Sequence, residues 1–210
     1  DGASTQYGSD AIAGVVNIVL KEGQFSPFIN TQFGQHVTGD GPDDGAAADV
    51  NGGGGIKLGR GSLSLFGQVL KRNATNRACP DGSFGDLNGV ADSVANCQVI
   101  IKRNGVPQPN VHWGDGIERD IQTFANLRLP LNATGTTEFY AFGGYSDRDG
   151  TGNGFFRKPQ NSRNWPEIYP LGFLPEFRPS VIDYSAAGGI RATTGGWSFD
   201  AGASYGFNSF

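Results

Sequence analysis

The chain has 210 residues, 34 of them glycine and none methionine, with 37% hydrophobic residues, 17% charged residues and a formal net charge of −4. No basic stripe of the kind nucleic acid requires is present, no run approaches the ~18 apolar residues of a membrane helix, and glycine at this density works against helices, whose interiors it destabilises by roughly 1 kcal/mol relative to alanine. Glycine combined with 15 Phe, 6 Tyr and 3 Trp on short alternating segments points instead to closed β architecture, outer-membrane barrels included.

The first element is a glycine-bounded turn followed by a strand-forming run, "YGSDAIAGVVNIVLK" from Tyr7 to Lys21. Gly8 and Gly14 permit turns closed to other residues, Asp10 can accept from nearby backbone amides, and Val15, Val16, Ile18 and Val19 favour a strand. Seven segments of period-two alternation follow, the signature of strands with two unlike faces. They are "SPFINTQFGQHV", "AAADVNGGGGIKLG", "GSLSLFGQVLKRN", "RDIQTFANLRLPL", "TTEFYAFGGYSDRDG", "VIDYSAAGGIRATT" and "GWSFDAGASYGFNSF". In the fourth, Ile121, Thr123, Ala125, Leu127 and Leu129 oppose Gln122, Phe124, Asn126 and Arg128; in the last, Trp197, Phe199, Ala201, Ala203, Tyr205 and Phe207 oppose Ser198, Asp200, Ser204 and Asn208. The second is the weakest, because Asn51–Gly55 also fits a flexible loop. Each segment is close to the ~9–11 residues that a tilted strand needs to cross a bilayer.

The connections alternate. Tight turns are expected near 59–61, 132–135 and 194–196, and longer polar connections near 38–45, 73–118 and 149–180. Short turns at one end of a barrel and long loops at the other produce this pattern, whereas a sandwich has no reason to keep every second connection short. Since single-chain bacterial barrels have an even number of strands, from eight upward, seven strands lead to the expectation of an incomplete barrel, and Phe210 is not taken as the terminal aromatic of one. Cys79 and Cys97 share one polar connection and are expected to form a disulfide in an oxidising compartment, two unpaired thiols being the alternative.

"DGASTQYGSDAIAGVVNIVLK" resembles the end of the plug domain in TonB-dependent outer-membrane receptors, matching its pattern at Gly2, Ala3, Tyr7, Gly8, Asp10, Ala11, Gly14, Val15, Asn17, Ile18 and Lys21. The motif spans about a tenth of the chain but is long and specific, with Tyr7, Gly8, Asp10, Gly14 and Asn17 as its core. The resemblance implies an all-β fold: the last strand of a plug domain (1–24) ahead of the first strands, about seven, of an antiparallel transmembrane β-barrel (25–210). It implies a location in the bacterial outer membrane and energy-coupled import of a scarce nutrient, most often a ferric siderophore or other iron complex. The implied partners are the inner-membrane TonB complex, acting through an N-terminal segment outside this sequence, an extracellular small-molecule ligand and outer-membrane lipid. A receptor for vitamin B12 or an oligosaccharide, or a non-transporting adhesin or structural barrel, is the alternative.

The connection "GFFRKPQNSRNWPEIYPLGFLPEFRP" carries the ligand-binding candidates Phe155, Phe156, Arg157, Arg163, Trp165 and Tyr169, because aromatic faces beside cations suit an anionic, aromatic ligand. An interfacial aromatic girdle or a loop packing on itself is the other reading of these side chains. Its prolines fix backbone angles and predict an ordered loop. Gln122, Asn126, Arg128 and Asp183 are expected to line the bore against the plug. His36 and His112 are the only histidines, no convergent metal ligands can be read, and no catalytic arrangement, cofactor site or nucleophile motif appears, so no enzyme is expected.

Overall fold

A computed structural model describes residues 19–39, 43–78 and 109–210. It is all-β, with no helix among the described residues. Seven long strands form one antiparallel sheet: β1 (Phe25–His36), β2 (Asp44–Leu58), β3 (Gly61–Arg72), β4 (Ile117–Pro130), β5 (Thr137–Asn153), β7 (Ser180–Thr194) and β8 (Trp197–Ser209). A two-residue β6 (Glu176–Phe177) pairs with the end of β5 beside the main path. The order is β1-β2-β3-β4-β5-β7-β8, each strand beside its predecessor, and the sheet is open, with β1 and β8 as its edges.

All seven expected strands are therefore present. The boundaries shift modestly: β4 begins at Ile117 and β5 runs on to Asn153, where a loop was expected from about 149. The expected plug motif at Tyr7, Gly8, Asp10, Gly14 and Asn17 and the expected Cys79–Cys97 bridge lie outside the described residues.

Each of the three tight turns holds a glycine at positive φ: Gly59, Gly135 and Gly195. Leu58 pairs with Gly61 across Gly59 (φ 60°), and Thr194 pairs with Trp197 across Gly195 and Gly196 (φ 57° and 81°). Positive φ at the first turn position (Gly59) or at both (Gly195 and Gly196) gives the two-residue turns whose twist matches their strands. Between β4 and β5, the Asn132 side chain donates to the Thr136 and Thr137 hydroxyls and accepts from the Thr137 amide.

Register carries the alternation across the whole sheet. One level runs Val50–Val69–Ile121 and another Ile56–Leu63–Leu127–Ala141–Gly188–Ala203. This apolar face has no cover: Leu65 and Val69 are about half exposed, Ile29 and Phe33 more. The three buried polar residues within strands, Ser64, Asp120 and Asn126, all sit on the opposite face. Phe28 of β1 and Asn208 of β8 line a single cavity of about 810 Å³ together with Gln68 and Gln122, so the sheet curls with its polar face inward.

The ambiguous Asn51–Gly55 run is a central part of β2, paired on both sides. Its glycines leave room for neighbouring rings. A Cβ on Gly53 would lie 2.5 Å from the Phe66 ring, and one on Gly55 would lie 2.7 Å from the Phe25 ring. Phe25 and Phe66 stack at 5.8 Å over this bare backbone, replacing the packing that glycine lacks.

Candidate functional site

The concave face is organised in tiers set by register. At one level stand Asn30, Asn51, Gln68, Gln122, Ser146, Asp183 and Asn208, successive partners from β1 to β8. Their amides are held by carboxylates: Gln68 and Asn51 donate to Asp49 (2.5 and 2.8 Å), Gln122 to Asp120 (3.3 Å) and Asn208 to Asp183 (2.5 Å). Donation from the NH₂ ends leaves the amide carbonyls of Gln68, Gln122 and Asn208 to accept from whatever occupies the trough.

Two residues nearer the tight turns lies an aromatic and glycine tier, Phe28–Gly53–Phe66–Phe124–Gly144. Phe142 continues it (6.5 Å from Phe124), and Tyr140 stacks 6.4 Å beyond. Flanking this belt are ion pairs. On the loop side Arg72 meets Glu118 at 2.7 Å and Arg148 meets Asp120 at 2.8 Å; on the turn side Arg191 meets Asp200 at 2.7 Å and Arg128 meets Glu22 at 2.5 Å. Gln122, Asn126, Arg128 and Asp183 thus share the concave face, as the alternation predicts. The ring tier was not anticipated: its signal, Phe at even steps beside Gln and Asn, looks like broken amphipathicity in any single strand.

The segment entering β1 lies on this same face. Ser64 donates to the Gly23 carbonyl (3.3 Å), Lys21 Nζ sits 4.2 Å above the Phe25 ring, and Val19, Leu20 and Glu22 line a small cavity with Arg128, Tyr140 and Arg191.

The opposite face carries aromatic residues at two heights. Phe139, Phe199 and Trp197 cluster near the tight turns. Tyr145, Tyr184, Tyr205 and Phe207 lie toward the long connections, with Tyr184 stacked on Phe207 at 4.9 Å. Beyond the upper group come charges, Lys71, Arg119, Asp147 and Asp149, with Arg119 and Asp149 at 2.8 Å. From Leu129 to Ile121 the apolar face of β4 extends about 27 Å at about 3.4 Å per residue.

The long connections are anchored where the structure describes them. Outside the apolar span of β2 (48–58), Asp44 accepts from both guanidinium arms of Arg77 (2.5 and 2.7 Å) and from the Asn76 amide. The Arg77 hydrogen bonds, then that amide, lower the Asp44 carboxyl to about 2. In the β5–β7 connection, Arg157 and Phe173 exchange backbone hydrogen bonds and Tyr169 packs on Phe173 at 4.3 Å. Gly172 (φ 81°) lets the Phe156 ring close over its bare Cα. Of the six ligand-binding candidates, Phe156, Arg157 and Tyr169 are thus gathered around Gly172–Phe173. Phe155 (87% exposed) and Trp165 (64%) project outward, and Arg163 is exposed beyond them. The connection folds on its own backbone hydrogen bonds, Arg157 with Phe173 and Asn161 with Lys158 among them.

Among the described residues no three His, Cys, Asp or Glu side chains converge as metal ligands. Comparison of the chain with protein-family models, curated proteins and solved structures finds no match.

Proposed function

We propose that this chain belongs to a TonB-dependent outer-membrane receptor, with residues 25–210 in the barrel wall and residues 1–24 at the end of the plug, and that the receptor imports a ferric siderophore or related iron complex by energy-coupled transport. The observation that carries the reading is the pairing of two unlike faces with two unlike ends. One face is continuous and apolar, bounded by aromatic groups at two heights. The other is polar, concave and already in contact with the segment preceding β1. All tight turns fall at one end. Lipid outside, a plugged polar bore inside and external loops at the far end account for each of these, and the apolar stretch from Ile121 to Leu129 is within the ~9–11 residues that a tilted strand needs to cross a bilayer. The plug-end motif in the sequence supplies the family, and the Arg157–Tyr169–Phe173 cluster with its exposed aromatic rim supplies a surface for an anionic aromatic ligand.

Two measurements test this. In lipid vesicles, nitroxides at Leu127 and Phe199 should relax with oxygen, and those at Arg128 and Asp200 with a water-soluble nickel chelate; the reverse pattern overturns the membrane reading. In the source bacterium grown under iron limitation, deletion of the gene should abolish protonophore-sensitive uptake of a labelled ferric siderophore. Unchanged uptake across a siderophore panel overturns the ligand assignment.

A further inference from the structure

We propose that Arg128 is the catch of a latch, holding Lys21 and Glu22 to the concave wall ahead of the Gly23 anchor and passing to Glu138 when they let go. Four contacts fix the segment. Glu22 Oε2 lies 2.5 Å from Arg128 Nε. Ser64, fully buried, donates to the Gly23 carbonyl at 3.3 Å. Lys21 Nζ stands over two rings, 4.2 Å from Phe25 and 5.2 Å from Phe28. The Gly23 carbonyl also packs on Gly55 so closely that a Cβ there would lie 2.1 Å from it.

The Gly23 contacts form a fixed anchor, whereas the Glu22–Arg128 contact is of a kind that opens. Glu22 and Arg128 keep 40% and 36% of their side-chain surface in solvent, where an ion pair contributes little and is screened by salt. Release leaves the Arg128 guanidinium to water or to another carboxylate, at a modest cost because it is partly exposed. Here a second carboxylate is in waiting: Glu138 Oε1 is 3.6 Å from Arg128 Nη1, a different nitrogen of the same guanidinium. A cavity of about 400 Å³ bordered by Val19, Leu20, Arg128 and Tyr140 gives the side chain room to turn. Gly23, at φ 85° with nothing within 4 Å of its would-be Cβ, is the pivot. The latch does not depend on the transport reading. If that reading holds, it marks where motion in the plug ends and the fixed wall begins.

The test is endoproteinase Lys-C cleavage after Lys21 in the full chain in detergent, with cleavage after Lys71, inside β3 and paired on both sides, as the control for global opening. Arg128→Gln should speed cleavage at Lys21 about threefold relative to Lys71. Glu138→Gln should slow it, because Arg128 then has only Glu22 to hold; a Glu138 that merely supported Arg128 would give acceleration instead. Glu22→Gln, which also changes the residue beside the cut, is compared in the Arg128 and Arg128→Gln backgrounds so that the local effect cancels. It should matter only in the first. If Arg128→Gln disrupts the sheet by circular dichroism, raising salt on the unmodified chain from 0.1 to 1 M should accelerate cleavage at Lys21 and not at Lys71. No change with Arg128→Gln, acceleration with Glu138→Gln, equal Glu22→Gln effects in both backgrounds, or salt insensitivity overturns the latch.

Discussion

The Tyr140 hydroxyl donates to Asp200 at 2.7 Å although β7 runs between their two strands. The ring can reach that far because the residues beneath it are glycines: a Cβ on Gly189 would lie 2.6 Å from the hydroxyl, and one on Gly202 would lie 2.7 Å from it. Arg191, bonded to the same carboxylate, covers the ring at 4.4 Å. Aromatic reach and glycine placement are one feature of the concave wall.

Gly189→Ala should therefore destabilise the sheet by about 1–3 kcal/mol, since the new methyl meets the Ala201 carbonyl and the Gly202 Cα as well as the movable hydroxyl. Tyr140→Phe, which loses only the hydrogen bond, should cost about 1 kcal/mol. Because both act on one contact, the double variant should fall well short of the sum. Urea unfolding in detergent measures all three; additive losses would show that the tyrosine and the glycine act separately.

Adjacent glycines in β2 should respond oppositely to the same change. At Gly53 a methyl collides with the Phe66 ring (2.5 Å) and the Leu65 carbonyl (2.8 Å), whereas at Gly54 its nearest neighbours are Pro27 atoms at 3.5 Å. Gly53→Ala should cost about 1–3 kcal/mol. Gly54→Ala should be neutral or stabilising by up to about 1 kcal/mol through lost chain entropy in the unfolded state. A one-residue slip in the pairing of β2 would exchange the two outcomes, so the pair of melting curves reads the register directly.

On the apolar face, Ala125→Arg, at the centre of the Ile121–Leu129 stretch, should oppose insertion by about 2–4 kcal/mol. Gln122→Arg, on the concave face of the same strand, should insert like the unmodified chain. The fraction reaching the heat-resistant, lipid-embedded form in vesicles measures both. Equal insertion would remove the distinction between the faces on which the membrane reading rests.

Much of this architecture is legible in the sequence because one physical pattern repeats. Leu63, Leu65 and Val69 alternate with Ser62, Ser64 and Gln68 strongly enough to set strand, face and length. Pattern fails where side chains are absent or contacts are distant. Asn51–Gly55 has no alternation to read; it is a strand through its pairing with β1 and β3, with Phe25 and Phe66 stacked over its bare backbone. The ring tier becomes visible only when register aligns Phe66 with Phe124. In the β5–β7 connection, residue type singles out six candidates, but which of them meet depends on the hairpin closed by Arg157 and Phe173, and neither spacing nor composition encodes that closure. The grip of Arg128 on Glu22 likewise joins residues whose neighbourhood exists only once the sheet has curled.

The Asp44–Arg77 clasp supplies a pH prediction. A carboxyl lowered by its partner contributes stability above the ordinary carboxylate range, and that contribution is lost as pH falls through the folded value, here about 2. At pH 4, where unpaired carboxylates are near half protonation, the base of the β3–β4 connection should remain tied to β2, and the tie should release only near pH 2. The ¹³C shift of the Asp44 carboxyl should titrate with that midpoint. The amide of Asn76, which donates to Asp44 Oδ2 at 2.9 Å, should lose its protection from hydrogen exchange over the same range. Arg77→Ala should move the midpoint up toward the ordinary aspartate value, because the guanidinium is the largest of the groups that hold it down. A midpoint unmoved by Arg77→Ala would assign the shift to the Asn76 amide and leave Arg77 without a role in the clasp.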